Sequence, residues 1–517
     1  MATPQQRFAE ALKILKELQD KGNVAIYTDE IPNRTYRELL LKNGFIKEVS
    51  RGWYIPSNPE ENDGDSTYWY SSYWEFCAKF LNKKYGTEWC LSADQSLNIH
   101  AGNWTVPFQL IIRAPQSNNT PTTLPHGTSL FNTKSDLPEA NQITIERNIR
   151  MYNLPASLIY CTSRIYTSNP IEVRTALSLI RDASELLPIL LEKGHTTIGG
   201  RLAGAFRNIK REKIADQIME TMKSTGYDIR EEDPFTDKLN INLSSREKSP
   251  FVNRIKLMWQ AMREVIIKDF PAAPGIPKDT DAYLKNVDDQ YITDAYHSLS
   301  IERYKVTPEL IERVTSGLWD KNINAEDKKQ KDAMAARGYW QAFQVVKETI
   351  IKVLKNANPG TEADKDHHKW YRQLFDPSVS AGILKVSDLS GYRNNQVYIG
   401  GSKQVPLNVD AMRDAMPILF ELLENEKEPF VKAVLGHFIF VFIHPYMDGN
   451  GRIARFLMNV MLASGGYPWT VIPVEQRSNY MKALESASVN QDITPFSQFI
   501  AYLVSEGLKG KPVAHLS

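Results

Sequence analysis

Between His444 and Arg455 the sequence reads His-Pro-Tyr-Met-Asp-Gly-Asn-Gly-Arg-Ile-Ala-Arg, a base, a hard oxygen ligand, a glycine-rich turn and two cations in one short stretch. His444 is the side chain here that can accept a proton near neutral pH. Asp448-Gly-Asn-Gly451 reads as a sharp turn that uses glycine's freedom in φ, and helical periodicity resumes at Arg452. A glycine-rich turn that opens a helix gathers free backbone N–H groups around one point, so Gly449, Asn450 and Gly451 form an anion nest suited to phosphate. Arg452 and Arg455, three apart, share a face of that helix and can each reach a phosphoryl group. Asp448 offers an oxygen ligand for Mg²⁺ bridging those phosphates. The chemistry that fits is attack of a hydroxyl on a nucleotide phosphate, with His444 taking the hydroxyl proton. The GxxxxGK[S/T] loop and the kinase motif set, which bind phosphate by other means, are absent from the sequence.

The elements that must position these groups are also readable. Val431 to Ile443 is an almost continuous apolar run whose length favours a helix buried on all sides. Pro445 disfavours the α conformation in the residue before it, so that helix should stop at His444. Ser390 to Gly401 reads as a β-hairpin around Asn394-Asn395, with Val397 and Ile399 on one face. Arg477 to Leu484 reads as a helix on which Tyr480 can pack against a nucleotide base or into the core. Well upstream, Ser298 and Glu302 lie four apart, on one face of a helix.

The segment from His444 to Arg455 resembles the Fic motif HPFxxGNGRxxR, with Tyr446 in place of the usual phenylalanine. The resemblance implies transfer of AMP from ATP to a hydroxyl of a protein target. It makes His444 the base, Asp448 the Mg²⁺ ligand, Gly449 to Gly451 the anion hole, and Arg452 and Arg455 the phosphate partners. The 390–401 segment looks like the family's flap, in which Val397, Tyr398 and Ile399 dock the target by strand pairing. The 294–307 stretch resembles the family's inhibitory helix, [S/T]xxxE[G/N], whose glutamate, here Glu302, pairs with Arg455 and holds ATP unproductively. Arg303 departs from that pattern. Other readings stay open: a regulator or antitoxin whose Fic unit senses nucleotide, a donor of UMP or phosphocholine, or removal of AMP.

The chain has 517 residues, 42% hydrophobic and 24% charged, with a formal charge of +1, so bulk charge points to neither nucleic acid nor membrane. Cys77, Cys90 and Cys161 show no CxxC spacing and read as buried thiols of a reducing compartment. No stretch approaches the ~18 apolar residues needed to span a bilayer, and the N-terminus lacks the apolar core of a signal peptide; a cytoplasmic protein is expected. Residues 1–57 read as a winged helix, with Asn33 capping a helix from Arg34 to Lys42 and a hairpin turning at Ser50-Arg-Gly52. Arg34 and Arg37 point outward as candidate DNA contacts. Residues 58–235 read as an α+β region, 236–280 as a linker with a helical segment, 281–345 as the helical region carrying Ser298 and Glu302, and 346–510 as the catalytic domain. Ile31 to Leu40, Gly44-Phe-Ile, Arg51 to Ile55 and Leu91-Ser-Ala-Asp through His100 resemble AbiEi-type antitoxins of abortive infection. The fold expected is mainly α: a C-terminal helical Fic domain with a β-hairpin flap, after an α+β region that starts with the winged helix. The partners expected are ATP, a protein target, and DNA through the front end; a homodimer is an open expectation.

Overall fold

The computed structural model describes residues 3–59, 65–238, 249–316 and 331–516. Residues 239–248 of the expected linker and 317–330 of the expected helical region lie outside them. The chain divides into two compact units, one of residues 1–254 with 398–405, the other of 255–397 with 406–517.

The N-terminal unit begins with helix α1 (Pro4–Asp20), strand β1 (Ile26–Tyr27), helix α2 (Arg34–Lys42) and strands β2 (Ile46–Ser50) and β3 (Trp53–Pro56), the strands forming an antiparallel sheet in the order β1-β3-β2. Asn33 caps α2 by accepting from Thr35 N at 3.0 Å, and Gly52 turns the β2–β3 hairpin at φ +77°. Both features follow from the residue types, since asparagine satisfies an orphan helix N–H and glycine takes positive φ without strain. Leu15, Ile26, Ile31, Leu40 and Ile46 close a small core between helices and sheet. Beyond it, strands β4 (Cys90–Leu91), β5 (Gln109–Arg113), β6 (Pro121–Thr123) and β7 (Ser129–Thr133) form a mixed sheet in the order β4-β5-β7-β6, with β5 and β7 parallel. A helix, Thr67–Tyr85, buries Trp69, Tyr73 and Phe76 in an aromatic-rich core with Trp53, Trp89 and Trp104. The three cysteines are buried thiols.

The C-terminal unit is helical among its described residues. Helices Lys331–Leu354 and Pro359–Ser380 pack along each other. The apolar run forms the helix Pro429–Ile443, in which only Pro429 and Val441 keep partial exposure. It ends at His444, where Pro445 disfavours continuing the right-handed helix; His444 itself takes φ +56°. The motif helix, Asn450–Ala463, packs directly on it. The upstream helix, Tyr291–Ile301, carries Ser298 and ends at Glu302. Among the described residues, no helix is long and apolar enough to cross a membrane.

Candidate active site

The site is built where two helix ends and one loop converge. His444 leaves the apolar helix in the left-handed region, which costs a non-glycine residue about 1–2 kcal/mol and so must be held in place by its surroundings. Its Nδ1 lies 3.2 Å from Val441 O. A carbonyl only accepts, so Nδ1 carries the proton and Nε2 keeps its lone pair, the tautomer a base needs. Burial of the ring pushes the His444 pKa down to about 4, so the imidazole is neutral across the physiological range.

The loop after it is clamped by its own side chains. Asn450 Oδ1 accepts from Tyr446 N at 2.9 Å while Asn450 Nδ2 donates to Tyr446 O at 2.8 Å. The Asn450 side chain is therefore spent on the loop, and what it can offer a phosphate is its backbone N–H. The Tyr446 ring stacks on Tyr371 at 3.8 Å, and its hydroxyl shares a 2.8 Å hydrogen bond with His368 Nδ1. His368 thus satisfies the buried hydroxyl that distinguishes tyrosine from phenylalanine here. Gly449 takes φ +82° as the N-cap of the motif helix, and no side chain caps that turn. The first N–H groups of a helix have no partner within it, so the turn at 450–452 presents open donors at the positive end of the helix.

The three charged residues of the motif divide their work. Asp448 Oδ1 accepts from Gly449 N at 2.6 Å, and its side chain is 64% exposed, leaving oxygen lone pairs free. Arg452 is buried; its Nη2 approaches Asp448 Oδ2 at 3.4 Å, and its Nε meets no acceptor among the described residues. Its guanidinium lies over the rings of Phe375 and Tyr304, at 5.0 and 5.3 Å from the centroids. These residues, with Tyr371 and Met447, line a cavity of about 670 Å³. Arg455, also buried, is held by the upstream helix: Nε donates to Ser298 Oγ at 2.8 Å, and Nη2 donates to Ser298 O at 3.0 Å and Glu302 Oε1 at 2.8 Å. A Cβ placed on Gly451 would collide with the same Oε1 of Glu302. The Glu302 carboxylate therefore sits over the anion turn as well as on Arg455.

The residue after Glu302 explains the family pattern and the departure from it. Arg303 has φ +65°. Its N–H donates to Ser300 O at 2.9 Å and Tyr304 N–H to Leu299 O at 3.1 Å, the hydrogen-bond pair of a Schellman cap, whose left-handed position glycine or asparagine fills most cheaply. One turn earlier Asp294 is buried and accepts from the Tyr339 hydroxyl at 2.6 Å; burial pushes its pKa up to about 6.

Two expectations need correction, the flap hairpin and the outward face of Arg37. Residues 390–408 contain no strand, so the flap is not a hairpin. Side chains take the carbonyls that pairing would use: Arg393 donates to Asn395 O and Leu407 O, and Gln396 Nε2 to Val397 O at 3.1 Å and Pro406 O at 2.9 Å. Val397 belongs to the C-terminal unit, whereas Tyr398 and Ile399 belong to the N-terminal unit with the rest of 398–405. Within that unit Gly401 N donates to Thr67 Oγ1 at 3.0 Å and Val106 N to Lys403 O at 3.0 Å. Tyr398 is exposed, with Val397 and Ile399 half-buried either side. Of the two packings open to Tyr480, the structure has the core one: it is 1% exposed, its hydroxyl 2.8 Å from His437 Nε2. At the front end, Arg37 turns inward and donates to Thr28 O at 3.4 Å and to Ile31 O, and Arg34, though exposed, pairs with Glu38 at 2.7 Å.

A metal would find one carboxylate here. Among the described residues no group of three or more His, Cys, Asp or Glu could hold an ion. A lone exposed Asp448 fits Mg²⁺, which keeps several waters and binds through one or two carboxylates plus substrate phosphates.

Residues 365–462 match the model of the Fic/DOC family. A "Protein adenylyltransferase Fic" of Drosophila willistoni is 42% identical over 234 residues, which is 44% of this chain and 43% of the relative. The protein of the same name from Drosophila erecta is 41% identical over 263 residues, 50% of this chain and 49% of the relative. The chain thus spans about half the length of the curated relatives it matches. A solved structure of Fic-1 from C. elegans aligns with a TM-score of 0.36 at 17% identity, over 66% of this chain and 97% of that one.

Proposed function

We propose that this Fic domain transfers AMP from ATP to a hydroxyl side chain of a protein, itself included, and that Glu302 holds the reaction off. The observation that carries the reading is the ring of His444, its Nδ1 tied to Val441 O, in the same loop as a helix start that opens on Gly449 with no side-chain cap.

Nε2 accepts the proton of the attacking hydroxyl. The hydroxyl oxygen forms a bond to the α-phosphorus, the bond to the β-phosphate oxygen breaks, and pyrophosphate leaves. The N–H groups of 450–452 and the guanidinium of Arg452 face the charge that builds on the phosphates, pre-oriented and largely dry. Asp448 would hold Mg²⁺, which neutralises phosphate charge when bound. Arg455 has Nη1 without an acceptor among the described residues and would complete the polyphosphate grip once Glu302 leaves. With Glu302 in place, a carboxylate occupies the anion turn and one face of that arginine, so a phosphate meets a like charge where it should meet donors.

Intact-mass spectrometry of the Glu302→Gly protein, incubated with Mg²⁺ and each of the four nucleotides in turn, tests the reaction class. The expected result is a gain of AMP with ATP alone, lost in Glu302→Gly/His444→Ala. A gain of another nucleotide would replace the donor, and no gain with any nucleotide on this protein or on a bystander protein would remove the transfer reading.

A further inference from the structure

We propose that Arg393 is a positioning residue that sets the catalytic histidine and both limbs of the 393–407 excursion in one frame. It rests on the AMP-transfer reading above for its kinetic consequence, though not for its geometry.

Arg393 is 2% exposed. Its Nε donates to His444 O at 2.8 Å, its Nη1 to Asn395 O at 2.8 Å, and its Nη2 to Leu407 O. Its own backbone N–H donates to Pro445 O at 2.9 Å. One guanidinium therefore gathers carbonyls from the catalytic loop, from the limb that runs out toward Val397 and from the limb that returns after Pro406. The hydrogen bonds from Gln396 Nε2 to Val397 O and Pro406 O close the same neck a step further out.

The choice of arginine is chemically demanding. All three acceptors are neutral carbonyls, and burial pushes the pKa of the guanidinium down to about 10. Keeping a buried cation without a carboxylate is unfavourable for stability alone, so a purely structural link between three loops would be better made by neutral groups. The planar fork does what they cannot, since it presents five N–H donors in fixed directions from one centre. Lysine, with all its donors on one nitrogen, cannot span the three carbonyls. The carbonyl that Nε takes belongs to His444 itself, in a left-handed conformation that neighbours must enforce. A target segment lying along residues 395–397 would press on the limb that Arg393 joins to the base, so docking and base placement share one connection.

The test uses the full chain in the Glu302→Gly background with Arg393→Lys, Arg393→Met and the parent. AMP transfer is expected to fall about tenfold to hundredfold in kcat for both variants, the size of effect a displaced reacting group produces, with the KM for ATP within about threefold of the parent because the anion turn is untouched. The NMR signals of the His444 ring should move in both variants, while thermal melting shows that each is folded. Parental kcat in Arg393→Lys with an unmoved His444 signal would overturn the proposal. So would a fall in kcat matched by an equal loss of ATP binding. Should the parent itself transfer no AMP, the transfer reading fails, and the His444 signals alone still decide whether Arg393 places the ring.

Discussion

Two short regions meet at Arg455, and they are built to opposite ends. The loop from His444 to Gly451 is held from every side: Asn450 clamps Tyr446 twice, Val441 O fixes the imidazole, Arg393 takes two consecutive carbonyls, and Tyr446 is stacked and hydrogen-bonded. The end of the upstream helix, from Ser298 to Tyr304, reaches the site through hydrogen bonds to the Arg455 guanidinium, through the Glu302 carboxylate over Gly451 and through the Tyr304 ring beside Arg452, and its cap places an arginine at φ +65°. Both regions hold a non-glycine residue in the left-handed region. In the loop that strain is surrounded by buried hydrogen bonds; at the helix end it sits on an exposed residue. On the proposed function, that difference is the one expected between a catalyst that must not move and a brake that must.

The largest effect should come from loosening the fixed region. Asn450→Ala strands the N–H and the carbonyl of Tyr446, and each buried orphan costs about 1–3 kcal/mol. In the Glu302→Gly background, AMP transfer should fall about a hundredfold and the melting temperature should drop by several degrees, read by labelled ATP and calorimetry. Full activity would mean the loop is held without this clamp. A smaller effect, of opposite sense to release, should follow from easing the brake's cap. Arg303→Asn relieves about 1 kcal/mol of left-handed strain in the braked form, so residual labelling by the otherwise unaltered chain should fall about fivefold. Unchanged labelling would show that the cap's strain is not felt at Glu302.

What was legible from residues tracks how local each cause is. The motif reads straight off the chain because His444, Asp448, Gly449 and the arginines are close neighbours in sequence, and periodicity plus Pro445 place the end of one helix and the start of the next. Ser298 and Glu302 were legible as an i, i+4 pair, but the reason Arg303 breaks the pattern needed a backbone angle. Arg393 lies inside the 390–401 segment and shows no role in the sequence, because its acceptors are carbonyls, which every residue has, and the one on His444 is 51 positions away. The flap's alternation of Val397 and Ile399 suggested a strand; Arg393 and Gln396 had already claimed the carbonyls a partner strand would need. The places of Tyr480 and Arg37 are not legible for a shared reason: periodicity tells which way a side chain starts, and tertiary neighbours, His437 for one and Ile31 O for the other, decide where it ends.

The contrast between a fixed loop and a removable brake is tested most directly by self-labelling with ATP carrying the label on its α-phosphate, comparing the unaltered chain with Glu302→Gly at equal concentration. Freeing Arg455 and the turn over Gly451 should raise incorporation by at least about tenfold, the equivalent of about 1.4 kcal/mol. Equal incorporation by the two proteins would contradict the account, since Glu302 would then sit on the phosphate site without opposing phosphate.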